Sequence, residues 1–556
     1  MTSIEFSCTQ CRARKLKCDR VKPSCGRCVK TDASCVYPSS RKPPPGRWKK
    51  IRELEAKLAQ LENVAIGIKE QNSKSTDGAN GIRTTQANLG EESRNDLARQ
   101  EPSSSLEHEE ILPEQQLMEE LLNIYFDKLH TACPILHKSR YISSLHLQYP
   151  LCPPLCLQYI VLASAAGSSE RHMQLAMIYY QRARMNAESD DMRGLGDDAT
   201  TLPHVQCWNL IANFEAQHTM FSRASISFCR SLRLAQMLNL HRLDSDPTKL
   251  HTSPEGWSVI EEQRRTWWVI FCSDRLLSAT TGWPLLISVK DISTFLPASD
   301  VSFQSCQEES TGSLESLLRH EYQGYSELTG RVLASCLFHE AMDQACREFP
   351  DDNPEDIQNG TFWTRHRRLD NDLTMIYIGL PPGLRLPQNF RDGDAAFINI
   401  LILTATICLH RSALSKLQAS KMPDHILHQS EDRLLPAAEE LLQILRMSPD
   451  VETVMKNPII AFAAFMAAMI FLEDFAANGS SQSEDNLVLL LKIMLAVCKT
   501  NAVPRSLALQ LAERMREIGV GFAMEEKVTR LSQIFMSRPL IASRGRDSPI
   551  VSFCLP

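Results

Sequence analysis

The chain has 556 residues, 43% of them hydrophobic, which suits several folded domains and argues against a fibrous or wholly disordered polypeptide. Its net charge of -6 is unevenly spread: residues 1–50 carry 13 Lys and Arg against 3 Asp and Glu, a balance of +10, and the remainder carries 47 against 63, a balance of -16. A basic head on an acidic body confines contact with a polyanion to the head. The N-terminus has no apolar signal region, and the longest apolar run, IIAFAAFMAAMIFL at 459–472, has 14 residues. That is short of the ~20 needed to cross a bilayer, so a buried core helix in a soluble, intracellular protein is expected.

The first motif in chain order is CTQCRARKLKCDRVKPSCGRCVKTDASC. Its six cysteines are Cys8, Cys11, Cys18, Cys25, Cys28 and Cys35, with two, six, six, two and six residues between them. Each half reads C-x2-C-x6-C. Thiolate is a soft ligand suited to zinc, and a C-x2-C pair presents two sulfurs to one metal from a short turn. Six sulfurs are too few for two separate tetrahedra but enough for two that share an edge. Three disulfides, or one structural zinc with two spare thiols, are the competing readings. The missing secretory signal weighs against the disulfides. So short a segment has almost no apolar core and depends on its metal for folding.

This spacing resembles the fungal Zn(II)2Cys6 binuclear-cluster DNA-binding domain. The basic residues between the second and third cysteines, Arg12, Arg14, Lys15 and Lys17, fit the resemblance, as does Pro23 between the halves. The resemblance implies two Zn2+ ions bridged by Cys8 and Cys25, with Cys11 and Cys18 completing one site and Cys28 and Cys35 the other. It also implies that Lys15 reads the G·C pairs of a CGG-like half-site in the major groove of double-stranded DNA. The chemistry agrees, because guanine offers two acceptors there and lysine only donates. On a helix continuing past Cys11, Arg14 and Lys17 would share a face. The bland alternative is that these cations only solvate the module and offset its thiolates.

The module is assigned to residues 1–38. A basic, proline-rich linker follows at 39–50, semi-rigid at Pro43-Pro44-Pro45 and able, with the module, to act as a nuclear import signal. At 51–68 apolar residues recur with heptad spacing. Ile51, Leu54, Leu58 and Leu61, continued by Ala65 and Ile68, predict a short dimerising coiled coil. An amphipathic helix packed on its own body is the alternative. Residues 69–111 are rich in Ser, Asn, Gln, Gly and Glu and are read as a disordered linker.

Residues 112–536 read as helical throughout, and 537–556 as a tail. Leu117, Leu121, Leu122, Tyr125, Phe126 and Leu129 form one amphipathic face. Similar stretches fall near 155–186, 203–219, 221–239, 257–281, 328–348, 394–418, 425–446, 455–476, 484–500, 504–518 and 525–536. Strand alternation is scarce, so the expected fold is all-α. Three segments resemble the middle homology region of the same fungal regulators: YFDKLHTACPILHKSRY (125–141), ASISFCRSLRLAQMLNLHRLD (224–244) and EEQRRTWWVIFCSDRLLSATTGWP (261–284). In the second, Asn239 stands where the family has glycine, a tolerable change because Asn is the next-best residue for a left-handed helix cap. The resemblance implies a regulatory domain that senses a small-molecule effector or contacts coregulators.

No Gly-rich phosphate loop, H-E-x-x-H or G-x-S-x-G is present, so no enzyme is expected. Arg264 and Arg265 beside Trp267 and Trp268 are expected as a surface pair next to core aromatics, with an anion site as the sharper alternative. The twelve cysteines from Cys133 onward are expected as buried free thiols. His204, His218 and His241 show no partner grouping in sequence. The expected protein is a zinc-dependent, sequence-specific nuclear transcription factor acting as a homodimer. The rival reading is a helical metabolite-binding protein whose zinc module is only structural.

Overall fold

A computed structural model describes residues 7–37 and 112–519, apart from 15–16, 32, 149, 194–196, 246–253, 320, 322–324, 348, 350–351, 421–423 and 499–500. The expected coiled coil, both linkers, the helix at 525–536, the tail and Lys15 lie outside the described residues. The chain divides into two compact units, Met1–Glu107 and His108–Pro556. Among the described residues every regular element is helical.

The first unit holds two five-residue helices, α1 (Thr9–Ala13) and α2 (Gly26–Lys30). Its core is sulfur: Cys8, Cys11, Cys25 and Cys28 are buried, with Cys18, Cys35 and Tyr37 packed against them. The two ends of the module are tied where Thr9 N donates to Val36 O at 2.9 Å. Tyr37 Oη donates to Val21 O at 2.9 Å.

The second unit is a helical body. Its helices in chain order are α3 (Gln115–Ile124), α4 (Lys138–Ser144), α5 (Leu155–Ser168), α6 (Met173–Met192), α7 (Leu202–Gln217), α8 (Phe221–Met237) and α9 (Pro254–Thr281). Two short ones follow, α10 (Asp300–Ser305) and α11 (Leu314–Leu318). Then come α12 (Glu327–Cys346), α13 (Thr361–Gly379), α14 (Gly393–Ala419), α15 (Asp424–Met447), α16 (Val451–Val454), α17 (Pro458–Asn478), α18 (Ser481–Ala496) and α19 (Ala502–Ile518).

Two hydrophobic cores organise the body. One gathers α3, α5, α6 and α7 around Tyr125, Phe126, Tyr159, Tyr180, Trp208 and Phe214. The other runs from α8 and α9 through α12 and α14 to α19. The amphipathic face of α3 enters the first core through Leu121 and Leu122, and the chain then widens into a π turn at Tyr125–Leu129. The run at 459–472 lies in α17, where Ile460–Leu472 are all buried. Both α14 and α17 are long and apolar enough to cross a membrane by composition alone, yet both lie largely inside the body. A helix enclosed on all sides has no polar face, so it carries little 3.6-residue periodicity.

Several sequence expectations are corrected. The stretch 155–186 is two helices, broken at Ser169–His172. Helix α13 was not anticipated. Its charged run Arg365, Arg367, Arg368, Asp370, Asp372 masks a buried stripe of Phe362, Trp363, His366, Leu369, Leu373 and Ile376. Arg264 and Arg265 are neither a surface pair nor an open anion site, because both are buried and committed to carboxylates. Cys229 is exposed rather than buried. Asn239 does adopt the left-handed conformation, at φ 56° and ψ 30°, directly after α8.

Candidate metal centre and nucleic-acid interface

The two halves of the module build the same local device. In each, a cysteine precedes a short helix and its sulfur accepts from the backbone N–H three residues on: Cys11 N to Cys8 Sγ at 3.4 Å, and Cys28 N to Cys25 Sγ at 3.4 Å. A sulfur at the helix N-cap serves the otherwise unsatisfied amides of the first turn. Gly26, after Cys25, donates its N–H to Asp19 Oδ2 at 2.8 Å, and a Cβ there would sit 2.7 Å from that oxygen unless the Asp19 side chain moved.

The six sulfurs fall into two groups of four, each within 4.8 Å of one another: Cys8, Cys11, Cys18, Cys25 and Cys8, Cys25, Cys28, Cys35. Cys8 and Cys25 belong to both. Sulfur–sulfur separations are 3.8 Å for Cys8–Cys25, 3.7 Å for Cys8–Cys28 and 3.7 Å for Cys11–Cys25. A tetrahedron with Zn–S near ~2.3 Å has an edge of about 3.8 Å, whereas a disulfide would bring sulfurs to ~2.05 Å. All six cysteines are free, and the arrangement fits two edge-sharing tetrahedra. Without a metal the six thiols are pulled in opposite directions: burial and the neighbouring sulfurs push Cys11 up to about 12, so that it keeps its proton, while backbone amides, that of Cys8 foremost, draw Cys18 down to about 7. Dications would hold every sulfur as thiolate.

The basic residues are placed less simply. Helix α1 ends at Ala13, so Arg14 lies in the following turn and Lys17 is in no regular element. Among the described residues, then, Arg14 and Lys17 do not lie on one helix, although both are exposed. The Arg12 side chain lies outside the described residues. On the second half Arg27 and Lys30 are also exposed, two cations the sequence reading left out.

In the body, His204 has partners that no local spacing shows. Its Nε2 lies 3.2 Å from Asp190 Oδ2 and its Nδ1 2.8 Å from Thr201 Oγ1, and Cys156 joins His204 and Asp190 in one close group. The three come from α5, α6 and α7.

A small cysteine-built module with two interlocked four-sulfur groups, followed along the chain by a large helical body, defines a zinc-cluster DNA-binding regulator. Comparison with known proteins agrees. Residues 6–44 match the fungal Zn(2)-Cys(6) binuclear cluster domain, and residues 122–345 match the fungal specific transcription factor domain. The chain is 26% identical over 538 residues to the citrinin biosynthesis transcriptional activator ctnR of Monascus purpureus, covering 90% of this chain and 91% of that one. It is 25% identical to the sorbicillinoid biosynthetic cluster transcription factor 1 of Penicillium rubens, covering 83% and 85%. It is 29% identical over 350 residues to the abscisic acid cluster transcription factor abl7 of Leptosphaeria maculans, covering 54% and 56%. The chain thus carries both domains that mark the fungal zinc-cluster transcription factors, and its cluster domain binds two zinc ions.

Proposed function

We propose that this protein is a nuclear activator of a biosynthetic gene cluster that binds paired CGG-like half-sites as a homodimer and catalyses no reaction. The observation that carries the reading is the pair of four-sulfur groups sharing Cys8 and Cys25. In this reading those two cysteines bridge the zinc ions. Cys11 and Cys18 complete one site, and Cys28 and Cys35 the other. The metals fix the turn that carries Arg12, Arg14, Lys15 and Lys17. Lys15 donates to guanine O6 and N7, while its neighbours meet phosphates and set register. Pairing of two chains through Ile51, Leu54, Leu58 and Leu61 places two modules on one duplex, and the linker sets their spacing. The names of its relatives, activators and cluster-specific factors, support both the sign and the target class. The helical body supplies control through an effector or coregulators.

The test is selection of bound sequences from a random duplex pool by the zinc-loaded full chain and by its Lys15→Ala variant. Enrichment of paired CGG-like triplets, lost in the variant, is expected, and the enriched spacing reports the dimer geometry. Binding without sequence preference in the parent would overturn the reading.

A further inference from the structure

The helical body contains a cavity of about 1070 Å³, large enough for a drug-sized molecule. Walls from α7, α8, α9, α12, α17 and α19 surround it, and Phe228, Val269, Leu276, Phe397, Ile460 and Phe462 give it a mainly apolar surface. Four of its lining side chains are cationic (Lys128, Arg331, Lys456 and Arg505), and none of the described lining residues is a carboxylate. The chain as a whole carries more Asp and Glu than Lys and Arg, so the wall departs in sign from the rest of the molecule.

Two of these cations are held in place. Arg331 pairs with Asp394, donates to Ala132 O at 2.9 Å and lies 4.9 Å from the centre of the Phe397 ring. Lys456 Nζ donates to Ser168 O at 3.2 Å. Burial, with the Lys128 ammonium adding to it, holds Lys456 below its ordinary range against the opposing pull of Asp450, Glu452 and Glu170. Ser335 is fully buried on the same wall, with the Cys272 thiol as its hydrogen-bond partner. Solvent reaches the chamber past Lys128, Thr131, Asn213 and Trp283, all exposed.

We propose that this cavity is a receptor site for a small organic acid, an apolar body seated among Phe228, Phe397 and Phe462 whose anionic group is neutralised by the cationic wall. Apolar enclosure supplies affinity and the carboxylate-free wall supplies selection for charge. A neutral molecule of the same shape gains the first and forgoes the second. A cation is repelled. Because the walls come from helices at both ends of the second core, an occupant favours the helix arrangement that encloses it and shifts the body toward that state. This regulatory consequence rests on the proposed function; the binding itself does not.

The test uses the purified full chain. The fluorescent probe is 8-anilinonaphthalene-1-sulfonate, an aromatic anion, displaced by decanoate, decan-1-ol or decyltrimethylammonium. Saturable binding of one probe per chain is expected, with decanoate displacing it at roughly tenfold lower concentration than decan-1-ol, the ratio for one charge-assisted contact, and the ammonium weakest. Lys128→Ala/Lys456→Met should erase the advantage of decanoate over decan-1-ol at unchanged helicity. Ala216→Trp, on the wall, keeps all four cations and should remove the site. Equal displacement by decanoate and decan-1-ol, absence of saturable binding, or an unaltered preference in the double variant would each overturn the proposal. DNA binding scored on the same sample separates the two readings. Selective DNA binding without decanoate binding sinks only the receptor site, and decanoate binding without selective DNA binding sinks only the proposed DNA function.

Discussion

Arg265 donates from Nε to Glu261 Oε1 at 3.2 Å, one turn back along α9, with both side chains sealed from solvent. The pair also joins distant chain to the helix. Arg265 reaches Asp300 Oδ1 at 2.6 Å and Ala298 O at 2.8 Å, and Glu261 Oε1 accepts from Ala298 N at 2.8 Å. Its neighbour Arg264 pairs with Asp244. The two arginines thus fasten the chain after α8 and the chain entering α10 to the same helix.

Removing one member strands a buried charge, and burial already holds Glu261 above the usual carboxylate range. Arg265→Met should therefore cost about 3–5 kcal/mol, read as a lower denaturant midpoint for the full chain. Glu261→Gln/Arg265→Met should recover part of the loss, because no lone charge remains. A single variant with an unchanged midpoint would show that the network does not bear on stability.

Asn239 makes a finer prediction. Its left-handed backbone suits glycine best and Asn next, and disfavours β-branched residues. Asn239→Gly should leave stability within about 1 kcal/mol of the parent, whereas Asn239→Val should lose about 1–2 kcal/mol. Equal thermal midpoints for the two would argue against a left-handed residue at that position.

What the sequence disclosed follows from how far apart the partners lie. The six cysteines sit within 28 positions, so their grouping was readable from the sequence, and the resemblance that their spacing carries implied which two are shared. Asn239 was readable because a helix cap is local. Arg265 was not, since its partners at 298 and 300 are brought in by the fold. The same holds for His204, whose companions Asp190 and Cys156 belong to other helices. The shared face of Arg14 and Lys17 failed for a local reason: α1 ends at Ala13, and no single-chain periodicity over so few residues fixes a helix end. Helix α13 was hidden by its charges although Phe362, His366, Leu369, Leu373 and Ile376 keep helical spacing.

Metal removal should act on one unit only. Among the described residues the module has no apolar core beyond the cysteines and Tyr37, while the body has two large ones. A strong chelator should abolish DNA binding and leave most of the far-ultraviolet helical signal, since α1 and α2 together hold only ten helical residues. Cys8→Ser strips a shared ligand and should drop zinc content from two ions to near none. Cys11→Ser touches one group of four and should retain more. Equal zinc loss in the two variants would count against Cys8 as a bridge.

Acid should weaken the body through buried neutral histidines. Burial pushes His366 down to about 4, with His410 adding to it. The two rings meet edge to face with centroids 5.1 Å apart, and Phe362 and Trp363 pack beside His366. The unfolded chain takes up the His366 proton near pH 6.5, the folded one only near pH 4. Its contribution is therefore complete above about pH 6.5 and is lost progressively as pH falls toward 4. His130 and His339, also pushed down to about 4 by burial, act in the same direction. Buried carboxyls such as Asp394, raised to about 6 by burial, act in the opposite one, so the informative quantity is a difference between variants. His366→Gln removes one titrating group while keeping a polar side chain. The parent should lose more thermal stability than this variant between pH 7.5 and pH 5. Parallel melting curves for the two across that interval would show that His366 is not buried in its neutral form.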